Sequence, residues 1–419
     1  MITAIRAQSS TFAKLQRANE AASRVAELST QQKNDILKEM AAKISENQRR
    51  ILSANGADLA AANLRSSSLD RLLLNAKRIA AMVAGLEEII ELPDPVGTIL
   101  AEWDRPNGLH FLKVRVPLGV VGVIYESRPN VTVEAAALAL KAGNAVVLRG
   151  GHEAARTNEV FAELMTQLPG LPEGAIELLD SSSRESVDEM LNNPWLVDVL
   201  VPRGGNQLVE HVTTKARVPV IVTGAGNCHI YVDDAADLGM ADEIILNAKT
   251  QRPGVCNAAE KLLVHQAVAQ EYIPRIVGRL RAAGVEVRGD AEACRLAGGS
   301  SEVAPASPDD WSTEYLELRI ALRVVASLDE AIAHINYYST KHSEAIVTSN
   351  AEHAARFLQK VDSAAVYWNA STRFTDGGEF GFGGEVGIST QKLHCRGPFG
   401  LNELTTTKYQ ISGSGQVRA

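Results

Sequence analysis

The stretch Asn247-Ala-Lys-Thr-Gln-Arg-Pro-Gly-Val-Cys-Asn257 sets one thiol, Cys256, after a Pro-Gly turn and ahead of a new apolar run. A loop thiol on a rigid scaffold can serve as a nucleophile. The plain alternative is a small buried hydrophobe. Lys249 and Arg252 lie close in sequence and either favour the thiolate, hold a phosphate, or are solvated loop charges. A second stretch with chemical content is Pro202-Arg203-Gly204-Gly205-Asn206, read as leaving a strand and opening a helix over Gln207–Lys215. Its two glycines let backbone N–H groups and a helix N-terminus face an anion, although Gly-Gly after a strand is also an ordinary turn. The G-x-G-x-x-G dinucleotide fingerprint is absent, because Gly224-Ala-Gly226 and Gly381-Phe-Gly-Gly384 both lack the third glycine at its spacing.

Positioning two such stretches takes more than one core, and 419 residues point to two or three domains. Hydrophobic residues make up 45% and charged residues 22%, as in soluble globular proteins. A net charge of -8 argues against a nucleic-acid partner. Cys228, Cys256, Cys294 and Cys395 lie far apart, so neither a disulfide framework nor a metal site is read. No apolar run is long enough for a membrane span, and the segment Met1 to Glu20 lacks the apolar core of a signal peptide. The expectation is a reduced, cytoplasmic protein.

Residues 1–92 read as helices, with one stripe through Ile36, Leu37, Met40 and Ile44 and another through Leu72, Ile79, Met82, Val83, Leu86 and Ile90. Pro93 and Pro95 end that region. Asn107-Gly108 signals a two-residue hairpin turn before a strand over His110 to Val116. Such a hairpin has an edge that needs covering, so it is expected to protrude and pair with another subunit. From Val120 short apolar strands alternate with helices, the pattern of a parallel sheet covered on both faces. A second α/β run follows Cys256, residues 300–312 read as loop, and Leu404–Ile411 reads as a final strand. Thr375–Glu385 carries five glycines in eleven positions, too many for a regular element.

Cys256 in its loop, the strand-end Val146-Val-Leu-Arg149 and the Gly-rich loop before Arg396-Gly-Pro-Phe-Gly-Leu-Asn-Glu403 together resemble the aldehyde dehydrogenase superfamily. Three segments are most similar to its glutamate-5-semialdehyde dehydrogenase (γ-glutamyl phosphate reductase) branch. They are Pro117–Asn130, Asn247–Asn257 and Val325–Ile346, the last through His334, Tyr338, Thr340, His342 and Glu344. The resemblance implies an α/β fold of two parallel-sheet domains plus a small β oligomerisation flap. It places a cofactor domain at 1–99 and 117–246, a catalytic domain at 247–395, and oligomerisation segments at 100–116 and 400–419.

The chemistry it implies is NADPH-dependent reduction of γ-glutamyl phosphate through a thioester on Cys256, in a homo-oligomer (dimer or tetramer). An encounter with a separate glutamate kinase is a further expectation, since an acyl phosphate is labile. Arg149 would face the adenosine ribose, where a fixed guanidinium suits a 2′-phosphate and so NADP. Pro202, Arg203, Gly204 and Gly205 would take the cofactor phosphates, and Glu314 the nicotinamide ribose. Arg128, Arg252, His394 and Arg396 are the candidates for the substrate, with His334 and His342 structural. The water-activating glutamate of hydrolytic relatives is replaced by Thr223, in Thr223-Gly-Ala-Gly-Asn-Cys-His229. Losing a general base costs about 10²–10⁴-fold in proton transfer, which favours phosphate over water as acyl partner. A hydrolytic or CoA-dependent aldehyde dehydrogenase is the competing expectation.

Overall fold

The computed structural model describes residues 9–63, 66–299 and 302–418. Residues 1–8 of the N-terminal segment, and Ser300 and Ser301 of the expected loop, lie outside the described residues. The chain divides into two compact units: residues 1–223, 381–387 and 399–419, and residues 224–380 and 388–398.

In the first unit the helices α1 (Ser10–Ala26), α2 (Thr30–Glu46), α3 (Gln48–Ala61), α4 (Ser66–Leu72) and α5 (Ala76–Glu91) precede the strands. Three of these starts have a side-chain cap. Ser9 accepts the Phe12 N–H at α1, and Ser29 and Gln32 form a capping box at α2. The second expected stripe is broken, because Asn75 caps a new helix at Arg78. Leu72 therefore belongs to α4, while Met82 and Val83 are only half-buried.

Strands β1 (Ile99–Asp104) and β2 (His110–Pro117) form the antiparallel hairpin. Its turn is wider than the two-residue Asn-Gly form: the Gly108 N–H bonds Arg105 O at 2.9 Å, and Gly108 takes φ 82°. Strands β3 (Val120–Tyr125), β4 (Ala145–Arg149), β5 (Ile176–Leu178) and β6 (Val199–Arg203) form a parallel sheet in the order β5-β4-β3-β6. It is served by α6 (Pro129–Lys141), α7 (Ala155–Thr166), α8 (Glu185–Asn192) and α9 (Asn206–Lys215).

The second unit holds β7 (Cys228–Val232), β8 (Ala259–His265), β9 (Glu286–Gly289), β10 (Ala304–Pro305), β11 (Arg319–Val325), β12 (Ser343–Val347) and β13 (Ala365–Trp368). These make one seven-stranded parallel sheet in the order β10-β9-β11-β8-β7-β12-β13. Alternation along its central strands feeds two cores. Ile230, Val232, Leu262 and Val264 pack with α10 (Leu238–Thr250) and α11 (Gln266–Ala282) on one face. Tyr231 and Leu263 pack with Leu328 and Ile335 of α13 (Leu328–Tyr338) and Phe357 of α14 (Ala351–Lys360) on the other.

The division at Thr223/Gly224 falls earlier than the break expected at 246/247, because β7 pairs with both β8 and β12 and takes α10 with it. After the short pair β14 (Gly387–Ser389) and β15 (Gly397–Phe399), strand β16 (Thr405–Ser412) runs antiparallel to β2. It completes the three-stranded sheet β1-β2-β16 in the first unit.

Candidate active site

Cys256 stands half-buried between the end of α10 and the start of β8, so it lies at the N-terminal ends of the second sheet's strands. Four contacts hold its loop. A Cβ added at Gly226 would come within 1.3 Å of the Cys256 carbonyl oxygen, so only glycine lets these two backbones meet. The Cys228 thiol donates to that same oxygen at 3.2 Å. On the far side the Asn257 amide donates to Thr375 O at 2.9 Å, and the Thr372 hydroxyl donates to Asn257 O at 2.7 Å.

Gly226 is itself fixed, since its N–H donates to the Glu314 carboxylate at 2.6 Å. Asn227 is locked by Thr340, Trp311 and Tyr338. Burial separates the two thiols. Cys228 is fully enclosed, and burial and then the Glu344 charge push its pKa well up, so it stays a thiol.

Behind the loop a polar row crosses three strands, with Lys261 opposite His229 and His229 opposite Glu344. The Glu344 carboxylate accepts the His229 N–H at 2.7 Å and meets His229 Nδ1 at 3.1 Å. Lys249 is neither a solvated loop charge nor an open anion site: fully buried, it stands 3.2 Å from the Glu260 carboxylate. Burial lowers the Lys249 ammonium, while the Glu260 carboxyl is pushed up to about 7 by burial against the pull of Lys249. Burial also brings Lys261 down to about 8; its ammonium donates to Thr313 O at 2.8 Å and lies 4.5 Å from the Tyr315 ring centre. His334 falls to about 3 through burial and nearby cations, and its Nδ1 faces Arg323 at 3.1 Å, as a neutral structural histidine would.

In the first unit the candidate cofactor residues sit at the C-terminal ends of β4 and β6, where parallel sheets bind ligands. Arg149 donates to Gly150 O, Ser181 O and Ser183 O, and burial lowers its pKa. Its buried Nε and that of Arg203 have no partner among the described residues. An unmet buried donor costs about 1–3 kcal/mol, so these two arginines fit a phosphate-bearing ligand.

The Pro202–Gly205 turn opens α9 as expected, but the Gly205 N–H is already taken by the Glu126 carboxylate at 2.9 Å. The Pro202 carbonyl accepts the Thr223 hydroxyl. Arg128 caps α6 without a side-chain cap bond. The neighbouring Ser127, at φ 38°, donates from both N and Oγ to Glu153.

The remaining substrate candidates divide. Arg252 is exposed on the cysteine loop. His394 is exposed with φ 69°, and Arg396 pairs with Asp362 at 2.9 Å. The Arg396 charge is thus met by Asp362, while its buried Nε, like those of Arg149 and Arg203, has no partner among the described residues. Gly226, Asn227, Asn257 and Glu126 were not legible as site residues, because each acts through a contact distant in sequence.

Two parallel-sheet units with a fixed loop thiol define the aldehyde dehydrogenase class, and the Aldehyde dehydrogenase family model matches residues 3–296. A gamma-glutamyl phosphate reductase from Koribacter versatilis is 63% identical over 405 residues, covering 97% of this chain and 99% of the relative. One from Caldanaerobacter subterraneus is 54% identical over 411 residues, covering 97% and 99%. The crystal structure of gamma-glutamyl phosphate reductase from Thermotoga maritima matches with a TM-score of 0.93 at 48% identity, covering 98% of this chain and 100% of that one. An acetylating aldehyde dehydrogenase from Geobacillus thermoglucosidasius, at 16% identity and TM-score 0.70 over 98% and 97%, shares the fold. The chain belongs to the aldehyde dehydrogenase family and, within it, to the gamma-glutamyl phosphate reductases. It is an oxidoreductase with the α/β fold that the resemblance implied. Among the described residues no helix is long and apolar enough to cross a membrane.

Proposed function

We propose that this chain reduces γ-glutamyl phosphate to glutamate 5-semialdehyde and phosphate, the second step of proline biosynthesis from glutamate, with NADPH as reductant. The observation that carries this reading is the 63% identity, over nearly the whole chain, to a gamma-glutamyl phosphate reductase. The Cys256 thiolate attacks the γ-carbonyl: an S–C bond forms, the C–O bond breaks, and phosphate leaves with the electron pair. A bound nicotinamide dinucleotide supplies the hydride that converts the thioester to the aldehyde and frees the thiolate.

Arg149 holds the 2′-phosphate, Arg203 and the Pro202–Gly205 turn the remaining phosphates, and Glu314 the nicotinamide ribose. Backbone N–H groups at Cys256 stabilise the oxyanion. Asn257 does not, since its amide is committed to the carbonyls of Arg373 and Thr375. Thr223 supports acyl transfer to phosphate: it is buried, spends its hydroxyl on Pro202 O and offers no carboxylate of its own to activate water.

The three-stranded sheet pairs with another copy, giving a dimer or tetramer. Ile99, Leu100, Trp103, Tyr409 and Ile411 leave apolar surface exposed on it, which is what such a contact covers. The protein works in the cytoplasm and meets a separate glutamate kinase transiently. The test is oxidation of glutamate 5-semialdehyde. Turnover should require phosphate, prefer NADP over NAD, and fall on the order of 10⁴-fold or more in Cys256→Ala. Turnover with CoA or water in place of phosphate, or an active Cys256→Ala variant, overturns the reading.

A further inference from the structure

One short turn touches the cysteine loop on both sides. It follows β13 and runs Thr372–Phe374 as a single 3-10 turn. The Arg373 carbonyl accepts from the Asn257 amide at 3.3 Å, immediately after Cys256. The Arg373 side chain reaches the other side, where Nε donates to Gln251 Oε1 at 2.7 Å, immediately before Arg252. Thr372 and Thr375 are fully buried, so the backbone that carries Arg373 is fixed. The guanidinium is therefore aimed across the loop that bears the nucleophile.

Burial lowers the Arg373 pKa, Arg252 lowers it further, and Asp376, Cys256 and Cys228 act in the opposite sense. Two guanidinium groups and the nucleophilic thiol thus share one neighbourhood. Three other half-buried arginines of the second unit have a carboxylate: Arg288 has Asp310, Arg323 has Glu330 and Arg396 has Asp362. Among the described residues neither Arg252 nor Arg373 has one within the 4.0 Å of an ion pair. Like charges held together in a partly desolvated place repel, unless an anion joins them.

We propose that Arg373, with Arg252, binds the phosphoryl group of the acyl phosphate at Cys256, and inorganic phosphate in the reverse direction. The proposal rests on the acyl-phosphate reading above. The leaving phosphate is joined through one oxygen to the very carbon that Cys256 attacks, whereas the α-carboxylate lies at the far end of the substrate's carbon chain. The cations nearest the thiol therefore meet the phosphate. As the S–C bond forms and the C–O bond breaks, the electron pair moves onto a phosphate oxygen, and a guanidinium fork binds that growing charge through two parallel N–H groups. No proton has to be supplied to the leaving group, because the phosphate departs as an anion already paired with cations. Lys249 cannot share this task, being closed in with Glu260.

Kinetics of semialdehyde oxidation test this. In Arg373→Met the KM for inorganic phosphate should rise about tenfold or more, with the KM for the semialdehyde within about threefold of the parent value. Arg373→Lys should recover part of the loss, since it restores charge without the fork. Arg252→Met, on the surface and unable to disturb packing, should shift the phosphate KM in the same direction by a smaller factor. As a binding readout, inorganic phosphate alone should slow alkylation of Cys256 by iodoacetamide in the parent protein and not in Arg373→Met. An unchanged phosphate KM with a raised semialdehyde KM overturns the proposal and assigns Arg373 to the α-carboxylate. A parent protein that turns over without phosphate, and that phosphate does not protect, overturns the acyl-phosphate reading itself, and the proposal with it.

Discussion

The two parallel sheets handle charge in opposite ways. In the first, β3 and β4 are apolar along their length, and the charged groups Glu126, Arg149 and Arg203 stand at the strands' C-terminal ends. In the second, Lys261, His229 and Glu344 lie fully buried near the N-terminal starts of β7, β8 and β12, with Lys249 and Glu260 beside them. A rim of half-met donors suits a ligand that arrives and leaves. A buried polar row suits a part that must not move, because unpairing any member exposes an uncompensated charge to a poorly polarisable surround. The cysteine loop is built against the second arrangement.

Breaking that row should have the largest effect. Lys249→Met leaves the Glu260 carboxylate without its closest cation, and urea unfolding should show a loss of about 3–5 kcal/mol. The double variant Lys249→Met with Glu260→Gln should regain part of that stability without regaining turnover, if the row serves to place the loop. Full recovery of both would reduce the contrast between the sheets to packing alone.

Gly226→Ala addresses the loop directly. Its methyl group would meet backbone rather than a mobile side-chain end, so the loop must shift. A displacement of that kind should lower kcat about 10²-fold. Turnover within a factor of two of the parent would show that the placement of Cys256 does not depend on this contact.

The smallest effect concerns the first sheet. In Glu126→Gln the carboxylate that occupies the Gly205 N–H loses its charge, freeing the α9 N-terminus for a ligand phosphate. NADP should bind about threefold to tenfold tighter in a fluorescence titration, a gain of the size that one helix-end charge provides. Weaker binding would make Glu126 part of the cofactor's own support.

Much of this was open to reading in one dimension. The helical stripe through Ile36, Leu37, Met40 and Ile44 is buried, and β3, β4 and α13 fall where periodicity placed them. Local signals failed where a local competitor intervened: Asn75 restarts a helix, and the turn at Gly108 closes on Arg105. The division between compact units at Thr223/Gly224 was not legible, because β7 carries no sign in its own residues that it joins β8 and β12. Lys249 read equally as a solvated charge or an anion site. Only its pairing with Glu260 excludes both.

The linear chain carried a thiol after Pro-Gly and a Gly204-Gly205 turn at the start of a helix, and its resemblance to a family added Thr223 where hydrolytic relatives carry a glutamate. The first two are properties of residue type and near spacing, which a sequence carries whole. Tertiary structure decided which cations are free to meet the substrate, because burial and pairing depend on residues far apart. Lys249 is closed off by Glu260, and Arg396 is answered by Asp362. It also decided that Gly226 must be a glycine. That requirement comes from a carbonyl thirty positions along the chain, brought within 1.3 Å of where a side chain would begin.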